Sequence, residues 1–333
     1  MRECEQDILE QYDIDVKNIR RVREAYLCET DRGPFLLKEL RVSEKRVPML
    51  FRLGEHLQEQ GVSDVDWILK NKDGELFCVS EEGTKFFMKK WFTGKECDVK
   101  KENELLSAVK NLTKIHQALR VPVSWESAKQ VVHRGEDLEQ EFFRHNRELK
   151  KVRAFIRERV GKGSFEQAFL QNFDAMFEWA ECAAERLKAS NYKVLLEESR
   201  EKHFLVHGDY NYHNVLMLHT GVATTNFEHF QENVQVTDLY YFLRKTMEKH
   251  HWDVALGDKM LEYYQRFLSL SSDELEYIGI CIAYPEKFWK AANSYYRSKK
   301  VWIPAKNLEK LELVIKQTEE KRIFLEKLFS FHL

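Results

Sequence analysis

What this chain lacks narrows it before any motif does. Its six cysteines stand singly, at positions 4, 28, 78, 97, 182 and 281, and none forms a C-x-x-C pair. A zinc site built on paired cysteines is therefore not expected, and the sparse spacing suits free thiols in a reducing compartment. No apolar run approaches the length that a membrane-spanning helix needs. The first residues, MRECEQDILEQYDID, carry charge where a signal peptide carries its apolar stretch. Synthesis and retention in the cytoplasm are expected from that. Neither sign of charge is in excess: 53 Lys and Arg face 55 Asp and Glu, for a net charge of −2. That balance argues against nucleic acid as the main partner, and no recognition motif opposes it. Internal repeats and low-complexity tracts are also absent.

What is present belongs to a globular protein. Apolar residues make up 43% and charged residues 32% of 333 residues, enough for a large core and for two lobes. The informative stretch is 204–230, FLVHGDYNYHNVLMLHTGVATTNFEHF. An apolar strand, 204–206, runs into the polar loop HGDYNYHN, and a second apolar strand, 215–218, follows. A third strand-like segment, 222–227, leads to Asn226, Glu228 and His229.

The spacing in that loop points to phosphoryl transfer. Such a site needs a base to orient the attacking hydroxyl and oxygen ligands for Mg²⁺ on the phosphates. Kinases arrange these as H-R-D-x-x-x-x-N, with a further metal ligand on the next hairpin arm. Here Asp209 and Asn214 are five apart, and His207 and Gly208 stand where the first two letters stand. The competing reading is an ordinary Gly-Asp turn followed by an Asx turn.

With those residues in view, HGDYNYHNVL resembles the catalytic loop of the aminoglycoside phosphotransferase and choline kinase superfamily, which has HGD where protein kinases have HRD. More narrowly, KFFMKKWFTGKE, HGDYNYHNVL, DLYYFLRKTMEKHHWD and AYPEKFWKAANSYY together resemble the spore-coat CotS-type kinase-like family. The resemblance covers about residues 10–330. It implies a protein-kinase-like fold, ATP or GTP with Mg²⁺ as cofactors, a small-molecule or sugar hydroxyl as acceptor, and a place in the spore coat beside other coat proteins. The absence of a G-x-G-x-x-G loop before Lys38 fits this superfamily, which generally does without one. Asn226 departs from the pattern, since that hairpin position is otherwise Asp. Mg²⁺ prefers oxygen ligands, commonly with one or two carboxylates. Glu228, two residues on, would lie on the same face of an extended strand and could supply the missing charge.

In chain order, residues 6–18 read as a short helix, and 20–28 and 35–40 as two strands. Lys38 sits in the second of these, where the kinase pattern wants a lysine for the α- and β-phosphates. A half-exposed surface lysine is the plainer alternative. Residues 44–60 read as a helix with Leu50, Leu53 and Leu57 on one face. By resemblance a glutamate on this helix pairs with Lys38; Glu44 and Glu55 are both candidates, and neither fits the register cleanly. Residues 66–79 read as a hairpin around Asn-Lys-Asp-Gly, and 85–91 as a strand. By resemblance that strand leads to a hinge where backbone groups of Lys90, Trp91 and Phe92 contact an adenine.

From about 98 the period becomes helical, with Leu105, Val109, Leu112, Ile115 and Leu119 on one stripe and His116 beside it. A charged helix spans 137–159. Ser164 with Gln167 makes a capping box for a helix that buries Phe169, Phe173, Phe177 and Leu187. Asp238 is either a first-turn helix charge or a brace for the loop. Trp252, Trp289, Tyr295, Tyr296 and Trp302 read as helix packing, with a stacking platform as the alternative.

The expected architecture is α+β and bilobal: a small antiparallel β-sheet N-lobe at 1–90 that binds nucleotide, and a large helical C-lobe at 91–333 that carries the loop. The expected roles are Asp209 as catalytic base, Lys38 and Lys90–Phe92 for nucleotide, and Asn214, Asn226 and Glu228 for metal. The expected function is transfer of the γ-phosphoryl of ATP or GTP to a small-molecule or sugar hydroxyl. The alternative is a catalytically impaired pseudokinase that serves coat assembly.

Overall fold

The computed structural model describes residues 7–125, 132–298 and 305–332. Trp302 lies outside them. The strands are β1 (Val16–Val22), β2 (Ala25–Thr30), β3 (Gly33–Glu39), β4 (Ile68–Leu69), β5 (Cys78–Val79), β6 (Lys85–Lys90), β7 (Lys95–Glu96), β8 (Leu205–Val206), β9 (Val215–Met217), β10 (Val222–Thr224) and β11 (Gln231–Glu232). The helices are α1 (Val47–Glu59), α2 (Glu102–Leu119), α3 (Leu138–Glu158), α4 (Ser164–Ala189), α5 (Tyr192–Glu201), α6 (Thr237–Met247), α7 (Val254–Gln265), α8 (Ser272–Ala283), α9 (Glu286–Ser298), α10 (Ala305–Lys316) and α11 (Thr318–Phe329). The fold is thus α+β, with an antiparallel sheet first and a mostly helical remainder, as the sequence implied. Two compact units form: residues up to His133 with Ser199–Asp238, and Arg134–Glu198 with Leu239 onward.

The first unit is built on a sheet ordered β1-β2-β3-β6-β4, with β5 also paired to β6. Residues opposite one another across antiparallel strands point to the same side, and neighbours along a strand point to opposite sides. Leu37 pairs with Met88, and both are fully buried, in a core with Ile8, Leu9, Tyr12, Cys28 and Phe35. Each such side chain contributes roughly 1.5–3 kcal/mol by leaving water. The other face pairs Leu27 with Leu36, Ala25 with Lys38 and Leu36 with Lys89. Its apolar part is Ala25, Leu27 and Leu36, with Val22 and Trp91 packed against them. The sequence of β3 thereby puts Lys38 on one face and the main core on the other.

Several expected elements shift. The single strand expected at 20–28 is two strands, broken at Arg23, whose φ of 54° turns the chain at Arg23–Glu24. The helix expected at 6–18 yields to β1 from Val16. The expected 66–79 hairpin does not form as such, because β4 and β5 each pair with β6 instead of with one another. In the second unit α4 starts one residue earlier in its cap: the Gly163 N–H donates to Glu166 Oε2 at 2.5 Å, and Ser164 is already helical.

The expected helical stripes are buried. Leu105, Val109, Leu112, Ile115 and Leu119 of α2 are fully enclosed. In the second unit Phe169 stacks on Phe288 at 5.0 Å and Phe173 on Phe177 at 5.2 Å, so the phenylalanine stripe of α4 is core. Trp252 and Tyr295 are buried, and Trp289 stacks on His145 at 3.4 Å, which is packing and not an open platform. Tyr296 is exposed.

Candidate functional site

The loop 207–214 is held from beneath. Asp238, in the first turn of α6, turns its carboxylate to the loop backbone. It accepts the His207 N–H at 2.6 Å and the Gly208 N–H at 2.9 Å. His116 Nε2, fully buried, lies 3.4 Å from the same carboxylate. The brace reading of Asp238 therefore describes its contacts. His207 is locked as well. Its Nδ1 accepts the Asp209 N–H at 3.1 Å, so its proton sits on Nε2 and is donated to the Thr225 carbonyl at 3.0 Å. Gly208 has φ +81°, and a Cβ there would stand 2.1 Å from the His229 carbonyl oxygen. Only glycine fits that turn without movement.

Above this base the polar side chains join in series. Asn211 Nδ2 donates to Asp209 Oδ1 at 2.9 Å, and Asn214 Nδ2 donates to Asp209 Oδ2 at 2.8 Å. Asn226 Nδ2 donates to Asn214 Oδ1 at 2.9 Å. Lys38 Nζ donates to Asn226 Oδ1 at 3.2 Å and to Glu228 Oε1 at 2.8 Å. The structure thus brings Lys38, Asp209, Asn214, Asn226 and Glu228 into one connected group.

The hairpin arm is not the extended strand expected through 227. β10 ends at Thr224, Asn226 takes the left-handed conformation (φ 66°, ψ 53°), and 227–229 is a 3-10 turn. The Asn226 N–H donates to Asp66 Oδ2 at 2.8 Å, which fixes the bend. Glu228 consequently does not share a strand face with Asn226. It faces two lysines, Lys38 and Lys89, the latter at 3.1 Å. The glutamate that pairs with Lys38 is therefore Glu228. Glu44 pairs with Lys85, and Glu55 lies 3.4 Å from Arg52.

Sequence reasoning missed Asp66, Lys89 and Arg46. Lys89 is almost wholly buried, between Asp66 and Glu228. Burial alone would lower its pKa, but the two carboxylates outweigh burial and raise it. Burial likewise works to raise Glu228, yet Lys89 and Lys38 hold it below the usual carboxylate range. Burial pushes the Asp66 carboxyl up against the pull of Lys89, so Glu228 is the firmly ionised acid of the two. Asp66 Oδ1 and Glu228 Oε2 are buried without a hydrogen-bond partner. Arg46 donates from Nε to the Glu228 carbonyl at 2.8 Å and lies over the Phe230 ring at 4.3 Å. Lys89 falls on the Lys38 side of the sheet only through the β3–β6 register, which the sequence does not display.

At the end of β6 the Lys90 N–H donates to the Trp67 carbonyl at 2.8 Å and the Trp91 N–H to the Pro34 carbonyl at 3.0 Å. Both hinge amides are used within the sheet. Across the β1–β2 turn, Arg23 reaches Glu96, and its NH2 lies 3.3 Å from His213 Nδ1. His213 Nδ1 is 2.6 Å from Glu96 Oε2. Among the described residues, no group of three or more His, Cys, Asp or Glu is arranged to hold a metal ion.

Solved structures share this fold. An aminoglycoside phosphotransferase from Alicyclobacillus acidocaldarius matches with a TM-score of 0.85 and 17% identity, over 98% of this chain and 95% of that one. The AMP-bound spectinomycin phosphotransferase APH(9)-Ia matches with a TM-score of 0.68 and 12% identity, over 99% of each chain. The chain belongs to the family described as "Spore coat putative kinase YutH", whose model matches residues 5–328. Spore coat protein S of Bacillus subtilis (strain 168) is 24% identical over 317 residues, 95% of this chain and 89% of that protein. No helix among the described residues is long and apolar enough to cross a membrane.

Proposed function

We propose that this chain is a nucleotide-binding, kinase-like component of the spore coat in which phosphoryl transfer is weak or lost. One observation carries the reading: the Lys38 ammonium is engaged by both Asn226 Oδ1 and Glu228 Oε1, on the arm where the superfamily pattern has an aspartate. Lys38 then keeps its nucleotide role, with Glu228 as the counter-ion that orients it. Trp91, packed on Ala25, Leu27 and Leu36, marks the apolar face against which an adenine would lie. With the Lys90 and Trp91 amides already used, Phe92 N–H and the hinge carbonyls are the groups that would read the base edge. The AMP in one structural neighbour supports a nucleotide in this fold. Residues 1–90 serve as the nucleotide lobe, and 91–333 as the lobe that carries the loop and meets the acceptor or coat partners.

A second reading has its own support. Asp209 is only half-buried, and both its oxygens are oriented by amides of Asn211 and Asn214. A carboxylate so held can accept the proton of an acceptor hydroxyl. In this reading the chain transfers the γ-phosphoryl of ATP or GTP to a small molecule or sugar. Phosphate release with ATP and GTP decides between the two, measured for wild type and Asp209→Asn. Both proteins should run at background. Turnover that Asp209→Asn abolishes would sink the first reading and leave the second.

A further inference from the structure

We propose that this site grips nucleotide phosphates without a divalent cation, with Lys38 and Arg23 supplying the positive charge. The inference rests on the nucleotide-binding reading above and concerns how that site is charged.

The residues at the metal position do not suit Mg²⁺, a hard cation that needs near-octahedral oxygen ligands and usually one or two carboxylates. Asn214 Oδ1 already accepts the Asn226 amide, at 2.9 Å. Asn226 Oδ1 already accepts the Lys38 ammonium, at 3.2 Å. Both are neutral. Asp209 has an amide N–H on each oxygen. Glu228 Oε1 is shared by Lys38 and Lys89. Glu228 Oε2 is buried and belongs to that same doubly paired carboxylate, and Asp66 Oδ1, also without a hydrogen-bond partner, is buried on a carboxylate that already pairs with Lys89.

Charge counting gives the same answer. Glu228 and Asp66 already have their counter-charges: Lys38 and Lys89 pair with Glu228, and Lys89 pairs with Asp66. A dication at Asn226 would have to displace an ammonium and then sit beside it. An aspartate at 226 would supply the carboxylate that this position lacks.

Arg23 provides the second cation. Val22 pairs with Ala25 at the end of the hairpin, and Ala25 pairs with Lys38, so the Arg23–Glu24 turn lies just beyond Lys38 in the sheet. This is the β1–β2 turn, which in protein kinases is the glycine-rich cover of the phosphates. The Arg23 side chain is 62% exposed and its partner Glu96 41%. An ion pair that open is worth little, so phosphate can take the guanidinium from it.

Calorimetry with ATP tests this on the wild-type chain, in EDTA and in excess Mg²⁺, with adenosine in EDTA as a third arm. ATP affinities in the first two should agree within about threefold. Adenosine should bind at least about tenfold more weakly than ATP in EDTA. Asn226→Asp should acquire a gain from Mg²⁺ of about tenfold, the scale on which local ligands tune metal affinity. ATP binding that needs Mg²⁺ in wild type would overturn the inference and leave the nucleotide reading standing. Equal affinity for adenosine and ATP would overturn it too, because the phosphates would then be ungripped. No binding in any arm overturns the inference and the nucleotide reading together.

Discussion

Each compact unit buries a network of charge, and the two differ in how much of it is local. In the helical unit, Arg244 bonds Glu248 at 3.0 Å and Glu286 at 3.0 Å, Glu286 holds Lys290, and Glu248 takes Lys287 at 2.7 Å. Arg244–Glu248 and Glu286–Lys290 are i,i+4 pairs that a helix brings together by itself. In the sheet unit, Lys38 and Glu228 are 190 residues apart, and Lys89 and Glu228 are 139 apart. Those contacts exist only after β3, β6 and the 226–229 bend have all formed. In the helical unit the i,i+4 pairs hold part of the network, and Arg244–Glu286 and Glu248–Lys287 add tertiary contacts to it. A network made by tertiary register concentrates its cost in a few residues, and those residues sit at the site.

The contrast is tested hardest at Lys89. Lys89→Met keeps the length of the side chain but leaves Asp66 and Glu228 buried without their shared cation. Removing one partner of a buried ion pair costs about 3–5 kcal/mol. Denaturant unfolding should show that loss, and a loss below about 1 kcal/mol would mean that Lys89 is not what holds the two acids in place.

The helical network answers to pH. Burial alone would raise the Glu286 carboxyl, but Arg244 and Lys290 outweigh it and hold it at about 2, against an ordinary 4.5. A carboxyl with a depressed folded-state pKa contributes stability that is fully present above about 4.5 and is lost as pH falls through about 2. The contribution is about 3 kcal/mol at most. Acid unfolding followed by circular dichroism should steepen across that window in wild type and flatten in Glu286→Gln. An identical acid limb in the two proteins would remove Glu286 from the account.

How much of this could be read from the sequence follows from the same contrast. The stripes of α2 and α4, the β3 lysine and the Asp209–Asn214 spacing are local patterns, and the structure puts those residues in the core or beside one another. The sequence reads Glu228 as a metal ligand on the same strand face as Asn226, not as the partner of Lys38. An extended strand was assumed through 227, and the Asp66 carboxylate that receives the Asn226 N–H and stabilises the bend is 160 residues away. Lys89 looked like one more lysine in KFFMKKW. Its burial depends on pairing with Leu36, which no short-range pattern encodes.

Backbone conformation at the loop gives a further test of the sheet unit. Gly208→Ala would put a methyl group 2.1 Å from the His229 carbonyl at a φ of +81°. Positive φ costs roughly 1–2 kcal/mol for an L-residue, and the overlap adds to it, for a total of about 2–3 kcal/mol. The loss should appear in the melting temperature and in weakened protection of the 207–214 amides from hydrogen exchange. A wild-type melt would show that the loop moves freely away from His229.

The smallest expected effect on stability is at Arg23, and its smallness is the point. Its pair with Glu96 is open to water on both sides, and exposed pairs contribute about 0–1 kcal/mol. Arg23→Ala should therefore melt within about 2 °C of wild type, where Lys89→Met falls far below it. ATP affinity in EDTA should nevertheless drop several-fold, because a phosphate exchanges an exposed carboxylate for a charge-assisted bond at little cost. The two lysines and this arginine then divide cleanly. On the proposed reading Lys89 would support the fold, Lys38 both fold and ligand, and Arg23 the ligand alone. If Arg23→Ala unfolded as readily as Lys89→Met, the Arg23–Glu96–His213 contact would be a structural clasp. The guanidinium would then not be available to a phosphate.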